Sequence, residues 1–152
     1  MTDADHLTRR TVVPIEAEPL IAVAFDRDRV TGLRHDVAGC AQAAGLAGER
    51  LDDFVLAVNE LITNAVRHGG GQGRLRLWRE PGILCCEVTD AGPGITPARL
   101  DDDSRPAPDS TGGWGLWLTR RLSDEMTIDT GPAGTTVRIT AAVPTTRRHL
   151  SH

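Results

Sequence analysis

FVLAVNELITNAVRHGG, residues 54–70, runs into a triple glycine, and its reading decides the fold. Leu51, Phe54, Val55, Val58, Leu61, Ile62 and Ala65 recur at helical spacing and predict a helix with a broad apolar face. Glu60, Asn64 and His68 stand four apart and form a second, polar stripe away from the apolar centre. Gly69, Gly70 and Gly71 then end the helix where a left-handed cap is needed. A polar stripe is ordinarily a solvated face. The glycine-rich segments downstream change that reading: VTDAGPGI at Val88–Ile95, STGGWGL at Ser110–Leu116 and GTTVRI at Gly134–Ile139.

At 152 residues the chain has room for one domain and a substantial core. Acidic residues outnumber basic ones 21 to 17, so there is no nucleic-acid footprint. All the basic residues are Arg, which excludes any lysine-dependent phosphate loop. No apolar run approaches membrane-spanning length, and MTDADHLTRR lacks a signal-peptide core, so a cytoplasmic protein without a membrane partner is expected. Cys40, Cys85 and Cys86 are odd in number and lack metal spacing, as free thiols in a reducing compartment would be. Cys85 and Cys86 are neighbours in a predicted strand and must point to opposite faces.

Outward from the central helix, periodicity predicts a β-prone stretch at Leu20–Phe25, with Thr11–Ile15 as a pairing partner. A helix over Asp26–Ala44 follows, with Val30, Leu33, Val37 and Ala41 on its apolar side. After the central helix come a half-exposed strand, Arg74–Arg79, and a turn at Pro81-Gly82 into Ile83–Thr89. Thr96–Ser110 is acidic, Pro-rich and without apolar periodicity, as a loop should be. Trp114–Ser123 reads as a helix, and Met126–Asp129 with Thr135–Val143 as a closing hairpin. Residues 1–10 and 144–152 read as tails, leaving 11–143 as the domain. Hairpins join most of the strands, so an α+β fold is expected. It is a two-layer sandwich with a mostly antiparallel, mixed sheet and helices on one face.

The order E-x-x-x-N, D-x-G-x-G, G-x-G, G-T-T resembles the four boxes of the histidine-kinase-like ATPase fold (Bergerat fold). That fold is shared by sensor histidine kinases, DNA gyrase and anti-sigma-factor kinases, and the likeness runs from about Leu20 to Val143. The resemblance implies ATP and Mg²⁺ as ligands, bound between helices and sheet. It makes Asn64 the metal ligand, consistent with an amide oxygen suited to Mg²⁺, and Glu60 the general base. His68 and Gly69 belong to the same box. It makes Asp90 the acceptor of the adenine amino group, with Gly92, Gly94 and Ile95 beside the base, and places Thr135 and Thr136 at the position lining the adenine pocket. Thr111, Gly113, Trp114, Gly115 and Leu116 form the second glycine box, where free amides at a helix start would face the phosphates.

The compact length and NELITNAVRHGG are similar to anti-sigma-factor serine/threonine kinases. Such proteins bind a sigma factor and phosphorylate an anti-anti-sigma (STAS-type) partner, and some are homodimers. Arg34 precedes Glu60 by the separation at which those kinases carry a partner-contacting Arg. His35, in LRHDV, reads instead as a surface His, because no second long helix follows to complete a dimerising hairpin. One departure stands out. Some family kinases place an Arg just before the second glycine box, where this chain has Thr111. Three classes remain open: a protein kinase, a nucleotide-regulated binding module, and a detached catalytic domain acting on a His in trans.

Overall fold

The computed structural model describes residues 18–93 and 114–144. The elements run β1 (Ile21–Asp26), a 3-10 turn at Arg27–Arg29, α1 (Val30–Ala43), α2 (Gly48–His68), β2 (Gln72–Glu80) and β3 (Ile83–Asp90). They continue with α3 (Trp114–Leu122), β4 (Glu125–Gly131) and β5 (Gly134–Ala142). The strands form one sheet in the order β1-β2-β3-β5-β4, and every neighbouring pair is antiparallel. Among the described residues no parallel pair occurs. The expected pairing of Thr11–Ile15 with β1, the loop at 96–110 and the tails at 1–10 and 145–152 lie outside the described residues.

α2 forms because its apolar residues repeat at the helical period. Phe54, Ala57, Val58, Leu61, Ile62 and Ala65 are buried against the sheet, while Leu51 and Val55 are half-buried beside α1. Across from them stand Leu75 and Leu77 of β2, Leu84, Cys86 and Val88 of β3, and Val137 and Ile139 of β5. Leu33, Val37 and Ala41 of α1 complete this core. Each large apolar side chain removed from water here contributes roughly 1.5–3 kcal/mol. The helix stops at Gly69, whose N–H donates to the Ala65 carbonyl, and Gly70 and Gly71 turn the chain at φ +93° and +89°. That conformation is cheap only for glycine, which is why the run exists.

The first helix starts later than its periodicity predicts. Asp26 is the last residue of β1, and its side chain accepts the Asp28 N–H at 3.0 Å. This local bond tightens Arg27–Arg29 into a 3-10 turn before α1 opens at Val30. At the far end of the sheet, Arg50 of α2 donates to Asp124 at 3.1 Å and to the Ala142 carbonyl at 2.8 Å. Asp124 also accepts the Ala142 N–H at 2.6 Å, and this bond is the main reason its carboxyl is held below the usual range.

Cys85 and Cys86 do point to opposite faces, but both are buried. Burial pushes the Cys85 thiol up to about 12, with Glu80 adding to the rise, and pushes Cys86 up as well. Both thiols are therefore protonated and inert at neutral pH. No helix among the described residues is long and apolar enough to cross a membrane.

Candidate functional site

The three described boxes converge at one end of α2. The last turn of that helix brings His68 and Gly69 against the end of β3, and the start of β5 lies alongside. A Cβ added to Gly69 would stand 2.5 Å from the Asp90 Cβ and 2.6 Å from its Oδ2. One added to Gly92 would stand 2.5 Å from the Gly69 Cα and 2.7 Å from the His68 carbonyl oxygen. One added to Gly134 would collide with the Asp90 carbonyl. Only glycine permits backbones this close, so the glycines serve first to bring the boxes together.

Asp90 sits at the centre of this junction, half-buried. The Gly92 N–H donates to its Oδ1 at 2.9 Å, closing an Asx turn that fixes the side chain. A carboxylate held this way keeps lone pairs for an external N–H donor, and a charge-assisted bond of that kind is stronger than a neutral one. Asp90 is paired across the ladder with Thr135, and Thr89 with Thr136.

That register separates the two threonines expected at the adenine pocket. Thr135 is 6% exposed and shares its face of β5 with the core residues Val137 and Ile139. Thr136 alternates to the opposite face, where its hydroxyl lies 3.1 Å from that of Thr89. Thr135 is therefore the threonine on the Asp90 side of the sheet, its hydroxyl 2.7 Å from that of Thr130.

Glu60 and Asn64 are half-buried on α2, and His68 is exposed at its end. They follow one another turn by turn toward the Gly69–Asp90 contact. Among the described residues no three His, Cys, Asp or Glu side chains converge on a metal position. An amide oxygen such as that of Asn64 is a donor of the kind Mg²⁺ accepts beside waters and phosphate oxygens. Gly94, Ile95, Thr111 and Gly113 lie outside the described residues. Trp114, Gly115 and Leu116 open α3, so the second glycine box does end at a helix start. α3 packs on α2, with Thr119 fully buried.

Arg34 is exposed and lies apart from this junction. It rims a cavity of about 310 Å³ between α1 and α2, lined also by Ala38, Leu51, Asp52, Val55, Leu56 and Asn59. Leu56, 42% exposed, precedes Glu60 by one helical turn. The groove and the polar stripe are thus consecutive along α2. Periodicity marked Val55 and Leu51 as core and gave no sign of this groove.

Comparison with known proteins agrees with this geometry. The model of the histidine kinase-like ATPase domain matches residues 23–141. No curated protein sequence matches at a significant level. Among solved structures, the RsbU and RsbW domains of Rv1364c from Mycobacterium tuberculosis align with a TM-score of 0.60 at 21% identity. The alignment covers 82% of this chain and 32% of that one. The chain therefore spans about a third of that relative's length. The mycobacterial sensor histidine kinase MprB aligns at TM-score 0.51 and 20% identity, over 82% of this chain and 99% of that one. A histidine kinase domain from Erythrobacter litoralis EL346 aligns at TM-score 0.50 and 18% identity, over 86% and 69%. At these identities the structures speak for the fold, while the family model spans most of the chain. The chain belongs to the histidine kinase-like ATPase domain family.

Proposed function

We propose that the chain binds ATP with Mg²⁺ between α2 and the sheet and works as an anti-sigma-type protein serine/threonine kinase. In this reading it phosphorylates a hydroxyl of an anti-anti-sigma (STAS-type) partner and sequesters a sigma factor. The observation that carries it is the junction of Gly69, Asp90, Gly92 and Gly134, built around one carboxylate anchored by a backbone amide. Asp90 accepts the adenine amino group, and Gly92 lets the base approach. Asn64 holds the metal that screens the phosphates, and amides at the start of α3 receive their charge. Glu60 takes the proton of the attacking hydroxyl. The likeness to a structure with an RsbW domain supports the anti-sigma assignment.

The groove rimmed by Arg34 supports a protein substrate. It lies one turn before Glu60, so a partner seated there would hold its hydroxyl near the base. Arg34 supplies a cation for an acidic partner residue.

Calorimetry with ATP and GTP, followed by transfer from labelled ATP to candidate partners, tests the proposal. ATP should bind in preference to GTP, and Asp90→Asn should weaken ATP binding by about 1.5–3 kcal/mol, the worth of a hydrogen bond to a charged group. Phosphoserine or phosphothreonine should accumulate on the partner. Equal affinity for GTP would sink the adenine assignment. Phosphohistidine, or binding with no transfer, would replace the serine/threonine kinase reading with one of the other two classes.

A further inference from the structure

β2 departs from the half-exposed pattern that its sequence predicts. Leu75 and Leu77 face the helices, so Trp78 faces the other way, yet Trp78 is only 1% exposed. Its ladder partner Cys85, on the same outer face, is 2% exposed. The core that joins the helices to the sheet contains neither residue.

Charged side chains bracket the indole. Arg76 and Arg138 each hold a guanidinium carbon 5.2 Å from the ring centre. Glu87 ties them together, at 3.5 Å to Arg76 and 3.0 Å to Arg138. The indole Nε1–H donates to Glu80 at 2.8 Å. These contacts fix the ring and satisfy its polar edge. No helix among the described residues packs on its apolar face.

The path of the chain points to what does. The Leu20 N–H donates to the Leu77 carbonyl at 2.7 Å, so the residues before Leu20 leave the sheet beside Trp78. Leu20 itself is 46% exposed. Crossing from β1 to β5 takes three strand spacings, roughly 14 Å at about 4.8 Å each. An extended chain covers that in about five residues at roughly 3.3 Å per residue. TVVPI at 11–15 lies within reach and carries the apolar Val12, Val13 and Ile15. We propose that residues 1–17 dock on the outer face of the sheet, with Thr11–Ile15 covering Trp78 and Cys85. The face opposite the helices is then an interaction surface filled by the chain itself, independent of the nucleotide reading.

Tryptophan fluorescence tests this in a Trp114→Phe/Trp117→Phe background, which leaves Trp78 as the only emitter. Deleting residues 1–17 should shift the emission to the red and raise acrylamide quenching toward the unfolded value. Val13→Asp in the full chain should move both readings the same way. A folded deletion variant with unchanged emission would overturn the proposal, because the arginine bracket would then suffice. So would emission that depends on protein concentration, which would make a second copy the cover, or a response only to deletion of residues 145–152. If the deletion variant does not fold, hydrogen exchange on the full chain decides. Protected amides at 11–17 support docking, and exchange at the unstructured rate refutes it.

Discussion

Gly92→Ala is the sharpest test of the nucleotide site, because it adds one methyl group and removes nothing. The new Cβ would lie 2.5 Å from the Gly69 Cα, 2.7 Å from the His68 carbonyl oxygen and 2.9 Å from the Gly69 carbonyl carbon. All three are backbone atoms, so no rotamer change relieves them. Ordinary contact begins at 3.4 Å, so the end of α2 and the turn after β3 must part by about 0.9 Å. Overpacking of this kind costs roughly 1–3 kcal/mol of stability. The same turn donates the Gly92 N–H to Asp90 at 2.9 Å, so the carboxylate moves with it. Losing its bond to adenine is worth about 1.5–3 kcal/mol, which corresponds to roughly 10- to 150-fold weaker ATP binding. Calorimetric titration with ATP and urea unfolding of the same variant read both quantities. Parental affinity together with a parental urea midpoint would refute the packing of Gly92 on the end of α2.

Asn64→Ala should abolish the Mg²⁺ dependence of nucleotide binding, whereas Glu60→Ala should leave binding intact and remove turnover. A Glu60→Ala protein that modifies its partner at the parental rate would remove Glu60 as the base. Arg34→Ala should leave ATP affinity unchanged while weakening the partner complex by about 2 kcal/mol or more, as truncation of an interface Arg often does. Pull-down and nucleotide titration of that one variant check both halves. Asp124 has a folded-state pKa below its unfolded value, so its contribution to stability is present above the ordinary carboxylate range. It is lost as the pH falls through the folded value. The difference in urea midpoint between the parent and Asp124→Asn should therefore be constant near neutrality and shrink below about pH 4. It should also be small, since the pair is about half exposed. A gap that persists undiminished in acid would contradict the role given to the ionised carboxylate in its bonds to the Ala142 N–H and Arg50.

The parts of this molecule that could be read from the sequence are those set by local rules. α2 announces itself through helical periodicity and its glycine stop, and the β2–β3 and β4–β5 hairpins through turns at Pro81-Gly82 and Gly131-Pro132. The boxes are legible because glycine spacing is itself a backbone requirement. What escaped depends on partners distant in sequence. Which of Thr135 and Thr136 pairs with Asp90 follows from the β3–β5 register, which local patterns do not specify. Asp26 binds the Asp28 amide instead of extending the helix, a competition that hydrophobic periodicity does not weigh. Trp78 is buried on the side that alternation marks as exposed, where two arginines and two glutamates from three strands bracket it.

The contact between Gly69 and Asp90 turns α2 into a gauge rod. One end of the helix is set against the carboxylate assigned to the base, and Asn64 and Glu60 are graduations further along the same rigid rod. At about 1.5 Å per residue they stand roughly 7.5 Å and 13.5 Å from Gly69. In the proposed reading, the distances between adenine, metal and attacking hydroxyl are thus laid off on a single element. A residue inserted between Glu60 and Gly69 would lengthen the rod by only about 1.5 Å but swing Glu60 by roughly 100° relative to Asp90. In the proposed reading this interval cannot change by even one residue and still keep Asn64 and Glu60 in step with the nucleotide.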